Sequence, residues 1–77
     1  MTKQQNILIS LREQQPISFD VEIKPLNPNL KPLKAKVIPV ISLGEVIRYK
    51  VISGTRIAVM LPYELSHLIE SKQYKIA

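Results

Sequence analysis

Residues 34–51 read KAKVIPVISLGEVIRYKV, and the way this run is folded decides the architecture of the chain. Apolar side chains alternate with lysine and arginine on either side of Ser42-Leu43-Gly44, which is the pattern of two half-buried strands joined by a turn. A three-residue loop ending on Gly44, where a positive φ is needed, pairs Ile41 with Glu45. That register sets Pro39 against Ile47, Val37 against Tyr49 and Ala35 against Val51 on one face. On the other face Lys36 meets Lys50 and Ile38 meets Arg48. A two-residue loop would put Val37 opposite Lys50 and mix the faces, so the hydrophobic pattern favours the longer loop. Pro39 predicts a bend or interruption, because a proline inside a strand belongs at an edge or a bulge.

Working outward, Ser53-Gly54-Thr55 reads as a second loop, which extends the inward set to Ile57, Val59 and Leu61. The spacing predicts a meander over about 33–41, 45–52 and 56–61. Upstream, ISFDVEIK at 17–24 alternates cleanly and reads as a further strand. Between them PLNPNLKP, at 25–32, holds Pro25, Pro28 and Pro32 and reads as an extended loop. Downstream, Pro62 suits the first position of a helix, Glu64 falls in its first turn, and Leu65, Leu68 and Ile69 form a stripe over about 62–71. Tyr74 and Ile76 then alternate as a short last strand.

The first residues admit two readings. Ile7, Ile9 and Leu11 alternate like a strand, whereas Thr2 with Gln5 resembles a capping box and Leu8 with Leu11 suits a helix; the balance tips toward helix.

Over 17–77 this order of elements resembles a small SH3-like barrel, with no family motif behind the resemblance and a helix longer than the single turn usual there. The alternative is a curled antiparallel meander of about five strands with helices on one side. Both are mainly β (α+β) folds, and neither transfers a function.

Composition sets the remaining bounds. The chain has 77 residues, 45% of them apolar and 22% charged, which describes one small folded domain over 1–77 with a modest core. With no cysteine, neither disulfides nor thiolate ligands supplement that core, consistent with a reducing, cytoplasmic setting. No apolar run reaches the ~18 residues of a membrane span, so a soluble protein with no membrane partner is expected.

The net charge of +5 is concentrated in the middle third, where Lys31, Lys34, Lys36, Arg48, Lys50 and Arg56 face the single acid Glu45. In the expected register the outward face combines Lys34, Lys36, Arg48, Lys50 and Arg56 with Ile38, Val40, Val46, Ile52, Ala58 and Met60. A plain solvated face would be more polar. Either another element covers its apolar half, the sheet curls, or a partner docks there. Asp20 and Glu22, if strand 17–24 lies beside strand 33–41, would neutralise Lys34 and Lys36 but leave Arg48, Lys50 and Arg56 without an acid.

Catalytic chemistry finds little support. His67 is the only histidine, with no cysteine or serine elbow to activate, and Glu64 and Glu70 fall on different faces of their helix. Two isolated glycines make no phosphate cradle. No cofactor, metal or small-molecule substrate is indicated. The expected function is therefore a non-catalytic interaction module or small accessory subunit that binds an acidic protein or associates with itself. Ile38, Val40, Val46 and Ile52 would supply apolar contact, Arg48, Lys50 and Arg56 charge, and Tyr63 an accessory anchor. The alternative is a nucleic-acid binder placing Lys31, Lys34, Lys36, Arg48, Lys50 and Arg56 against phosphates. Basic and aromatic residues are not interleaved as a stacking platform would need.

Overall fold

The computed structural model describes residues 2–77. Helix α1 (Lys3–Arg12) is followed by strands β1 (Phe19–Ile23), β2 (Leu33–Ser42), β3 (Glu45–Ser53) and β4 (Arg56–Met60), helix α2 (Pro62–Glu70) and strand β5 (Tyr74–Ile76). The strands form one antiparallel sheet in the order β4-β3-β2-β1-β5. Its two outer strands do not meet, so the sheet is open and the SH3-like barrel gives way to the alternative, a sheet with helices over one face. Helix α2 carries the chain from β4 at one edge to β5 at the other.

Helix wins at the amino terminus because the capping box forms. The Thr2 hydroxyl accepts from the Gln5 amide at 3.1 Å and the Gln5 side chain accepts from the Thr2 amide at 2.9 Å. One turn apart, Ile7 and Leu11 then point into the core, and the competing strand alternation through Ile9 is lost. At α2 the Glu64 carboxylate accepts from the Leu61 amide at 3.0 Å, Pro62 needs no partner in the first turn, and Leu65 and Ile69 are buried.

The core joins Ile7, Leu11, Leu65 and Ile69 of the helices to Phe19, Val21, Ala35, Val37, Val46, Tyr49 and Val51 of the sheet. Tyr49, Leu65, Ile69, Val21 and Val37 are its largest fully buried side chains. The Cα envelope of 42 × 31 × 16 Å is that of one helical layer on one sheet.

The register of the central hairpin differs from the expected one. Ser42 pairs with Glu45, so the turn is the two-residue Leu43-Gly44, with φ of 53° and 79°. Positive φ at both central residues is the requirement of a type I′ turn, whose twist matches that of the strands. Ile41 pairs with Val46 and Val40 with Arg48, which leaves Ile47 as the extra residue of a β-bulge. The bulge resolves the conflict that argued against a two-residue loop, because one added residue restores the faces. Beyond it Pro39 lies opposite Tyr49, Ile38 opposite Lys50, Val37 opposite Val51 and Lys36 opposite Ile52.

Pro39 does not interrupt β2. Strand β1 begins at Phe19, opposite Val37, so residue 39 has a paired neighbour on one side only and occupies a local edge. The irregularity expected at Pro39 falls instead between Val40 and Ile41.

The second turn is also shorter than expected. Ser53 pairs with Arg56 around Gly54-Thr55, with φ of 60° at Gly54, the sign that a type II′ turn requires at its first central residue. Ile52 therefore meets Ile57, Val51 meets Ala58, Lys50 meets Val59 and Tyr49 meets Met60. This exchanges the faces of β4: Ala58 and Met60 share the side of Val51 and Tyr49, while Ile57 and Val59 turn outward.

Candidate interaction face

Both helices lie on the side of the sheet that carries Val21, Val37, Tyr49 and Val51. Among the described residues no element covers the opposite side. Alternation along each strand places there Asp20 and Glu22 of β1, Lys34, Lys36, Ile38 and Val40 of β2, and Arg48, Lys50 and Ile52 of β3. Ile57 and Val59 of β4 and Lys75 of β5 complete it. Of the three outcomes open from the sequence, covering by a helix is thus excluded for this face.

The face is organised in rows across the strands. One row runs Asp20, Lys36, Ile52, Ile57; the next runs Ile38, Lys50, Val59; a third pairs Val40 with Arg48. Lys50 has aliphatic side chains across from it on both sides, Arg48 has Val40, and Lys36 stands between Asp20 and Ile52. Ile38, Val40 and Ile52 are half-buried, whereas Ile57 and Val59 stay 61% and 56% exposed. The direct opposition of Lys36 and Lys50 expected from the sequence does not occur, because the register sets Lys36 against Ile52 and Lys50 against Ile38.

Charge on the face is polarised. Glu22 lies between Lys34 and Lys75, and Asp20 lies beside Lys36, so the β5-β1-β2 side is close to balanced. Lys50 has Ile38 and Val59 across from it and Arg48 has Val40, so neither has a carboxylate opposite. Glu45, exposed beside the hairpin turn, is the only acid of β3. Arg48 also has a structural role: its guanidinium donates to the carbonyl of Ile47 at 3.0 Å, which satisfies the oxygen of the bulged residue and leaves its other donors free.

Several expected members of the face are elsewhere. Val46 is 8% exposed and belongs to the core, because the bulge turns it inward. Arg56, opposite Ser53, projects to the helical side, together with Ala58 and Met60. Tyr63 is 70% exposed and lines a shallow groove of about 900 Å³ between α1 and α2, with Leu8, Arg12, Leu61, His67 and Leu68. It therefore cannot anchor a ligand held on the opposite side of the sheet. Lys31 lies in the exposed loop before β2. The six cations offered for phosphate contact are consequently divided among the two sides and a loop. Phe19 and Tyr49 are buried in the core, so they offer no stacking surface.

The hairpin turn adds a residue that the sequence reading passed over. Leu43 is wholly exposed and holds φ of 53°, a conformation that favours glycine, asparagine or aspartate. Ile41 and Ile47 beside it are 52% and 44% exposed. A leucine at a left-handed position with no buried contact is a local cost without return inside the fold. The signal was present in Leu43-Gly44 standing where Asn-Gly is usual.

Among the described residues no group of three or more His, Cys, Asp or Glu is placed to hold a metal ion, and no helix is long and apolar enough to cross a membrane. Compared with profiles of known protein families, with curated proteins and with solved structures, the chain matches none.

Proposed function

We propose that the chain is a non-catalytic interaction module that docks an acidic protein partner through the uncovered face of its sheet. The carrying observation is the row pattern on that face, where Ile38, Val40, Ile52, Ile57 and Val59 alternate with Lys36, Arg48 and Lys50. An apolar patch interleaved with cations over β2 and β3, its acids confined to β1, suits a partner that presents aliphatic or aromatic side chains among carboxylates. Such cations chiefly set orientation and association rate, while the aliphatic residues supply most of the affinity. Leu43, wholly exposed at the hairpin turn, extends the apolar contact beyond the end of the sheet.

Selection from a displayed random-peptide library tests this reading. Selected peptides should combine acidic with aliphatic or aromatic residues, and their binding should fall in Lys50→Glu and in Ile38→Ser proteins of native circular dichroism. Peptides without acidic residues, or binding indifferent to both substitutions, would remove the proposal. A single-stranded oligonucleotide titrated over a range of salt provides the competing outcome: steep salt dependence abolished by Lys50→Glu would make the face a phosphate-binding surface.

A further inference from the structure

The two edges of the sheet are built differently. Strand β5 is three residues long and carries Lys75 at its centre, features that discourage addition of another strand. Strand β4 is five residues, Arg56–Met60, hydrogen-bonded to β3 alone. It contains no proline, no bulge and no internal charge; its only ionic residue, Arg56, stands at the end beside the turn. Its central residues Ile57, Ala58 and Val59 are all exposed.

The direction of its free backbone groups follows from the turn. Around a two-residue turn the flanking pair, Ser53 and Arg56, forms the hydrogen-bonded rung, and rungs then alternate. Ala58 and Met60 bond to Val51 and Tyr49. Ile57 and Val59 therefore direct their amides and carbonyls away from β3, toward the open edge.

We infer that β4 pairs antiparallel with β4 of a second copy of this chain, about a two-fold axis at Ala58, joining two five-stranded sheets into one. In that register Ile57 of one copy lies opposite Val59 of the other, twice. Both residues present free backbone groups on the side where they meet, so each rung exchanges both of its bonds. Ala58 meets Ala58 on the axis, where a small side chain allows close approach in a non-hydrogen-bonded pair. Arg56 falls beside Met60 of the other copy, so the two arginines stand at opposite ends of the seam. Shifting the register by two residues keeps the bonding pattern but leaves part of each strand unpaired. Stacking the two copies through their uncovered faces would instead oppose Lys36, Arg48 and Lys50 to themselves. The edge pairing avoids that, and it sets the apolar rows of two faces side by side through Ile57 and Val59. It rests on backbone groups of the edge and does not depend on what the face binds.

Sedimentation equilibrium of the free chain, from low micromolar to millimolar concentration, tests the inference. A reversible monomer–dimer equilibrium is expected. Val59→Pro deletes an amide that points outward and spares the β3–β4 ladder, so it should weaken the dimer by about tenfold or more while the monomer stays folded. Should that proline unfold β4 by circular dichroism, Val59→Glu serves in its place. The register has its own test: Ile57→Lys and Val59→Glu should each dissociate the dimer alone and restore association when mixed, because the new lysine faces the new glutamate across the seam. A chain that stays monomeric throughout, or a dimer unchanged by both edge variants, overturns the proposal, and failure of the mixed pair overturns the register.

Discussion

The phenolic hydroxyl of Tyr49 donates to the carbonyl of Gln15 at 2.9 Å, tying the link between α1 and β1 to the centre of the sheet. Tyr49 is fully buried on β3, and Gln15 lies at the surface just past the end of α1. One side chain thus fills the core and holds in place the segment that lays α1 over it. Replacing Tyr49 by Phe keeps the ring and removes the tether. The expected loss is about 1 kcal/mol, seen as a lower urea midpoint with unchanged slope, since the freed carbonyl can reach water.

Burial also raises the pKa of Tyr49 above the ordinary phenol range, a shift partly offset by a backbone hydrogen bond at Ile17, and burial raises that of Tyr74. A raised folded pKa means that the native state holds these protons more tightly than the unfolded chain. Their contribution is then complete below the unfolded pKa near 10 and disappears as pH climbs through the folded values. Stability measured by urea melts should be flat up to about pH 9 and fall above pH 10, less steeply in Tyr49→Phe.

Val46 and Ile38 separate the core from the uncovered face. Val46→Asp places an unpaired carboxylate among buried side chains and should cost about 3 kcal/mol or more, enough to unfold a domain of this size. Ile38→Ser, on the half-buried outer face, should cost about 1–2 kcal/mol, less than Val46→Asp, and reduce binding of an acidic peptide. Equal destabilisation by the two would contradict the bulge at Ile47.

Leu43 opposes stability to binding. Leu43→Asn relieves the left-handed backbone and should raise stability by roughly 1 kcal/mol, with a higher melting temperature. The same variant should weaken partner capture, because it removes the exposed apolar tip. A leucine that contributes nothing to binding would leave capture unchanged.

Leu65 is completely buried where α2 crosses the sheet, and Leu65→Ala should cost about 2–5 kcal/mol in a thermal or urea melt. The residual volume lies beneath a helix held at both ends by strands, which limits collapse into it.

The order of elements could be read from the chain because each carries a local signature: alternation in ISFDVEIK, Pro62 with Glu64 at a helix start, and Thr2 with Gln5 at another. Register could not. A three-residue loop and a two-residue loop with a bulge both put Tyr49 and Val51 inside, and nothing in VIPVISLGEVI distinguishes them by polarity. The faces of β4 were hidden for a related reason. In RIAVM both alternating sets, Ile57 with Val59 and Ala58 with Met60, are apolar, so only the length of the turn decides which turns inward. The basic-apolar character of the outer face was legible through Lys36, Ile38, Lys50 and Ile52. Val46, Arg56, Ala58 and Met60, expected on it, lie on the other side because of a bulge and a short turn that pattern alone does not fix, and Tyr63, expected as an accessory anchor, lies on α2.

Helix α2 leaves one margin of the sheet and delivers the chain to the other, passing over the three strands between them. Neither margin can then peel away by itself, since loosening β4 or β5 pulls on the helix that anchors Leu65 and Ile69 under it. The outermost strands should accordingly exchange their bonded amide hydrogens by the same global opening as the central ones, and a deuterium-labelling experiment would find one cooperative unit where an open sheet ordinarily frays from its borders.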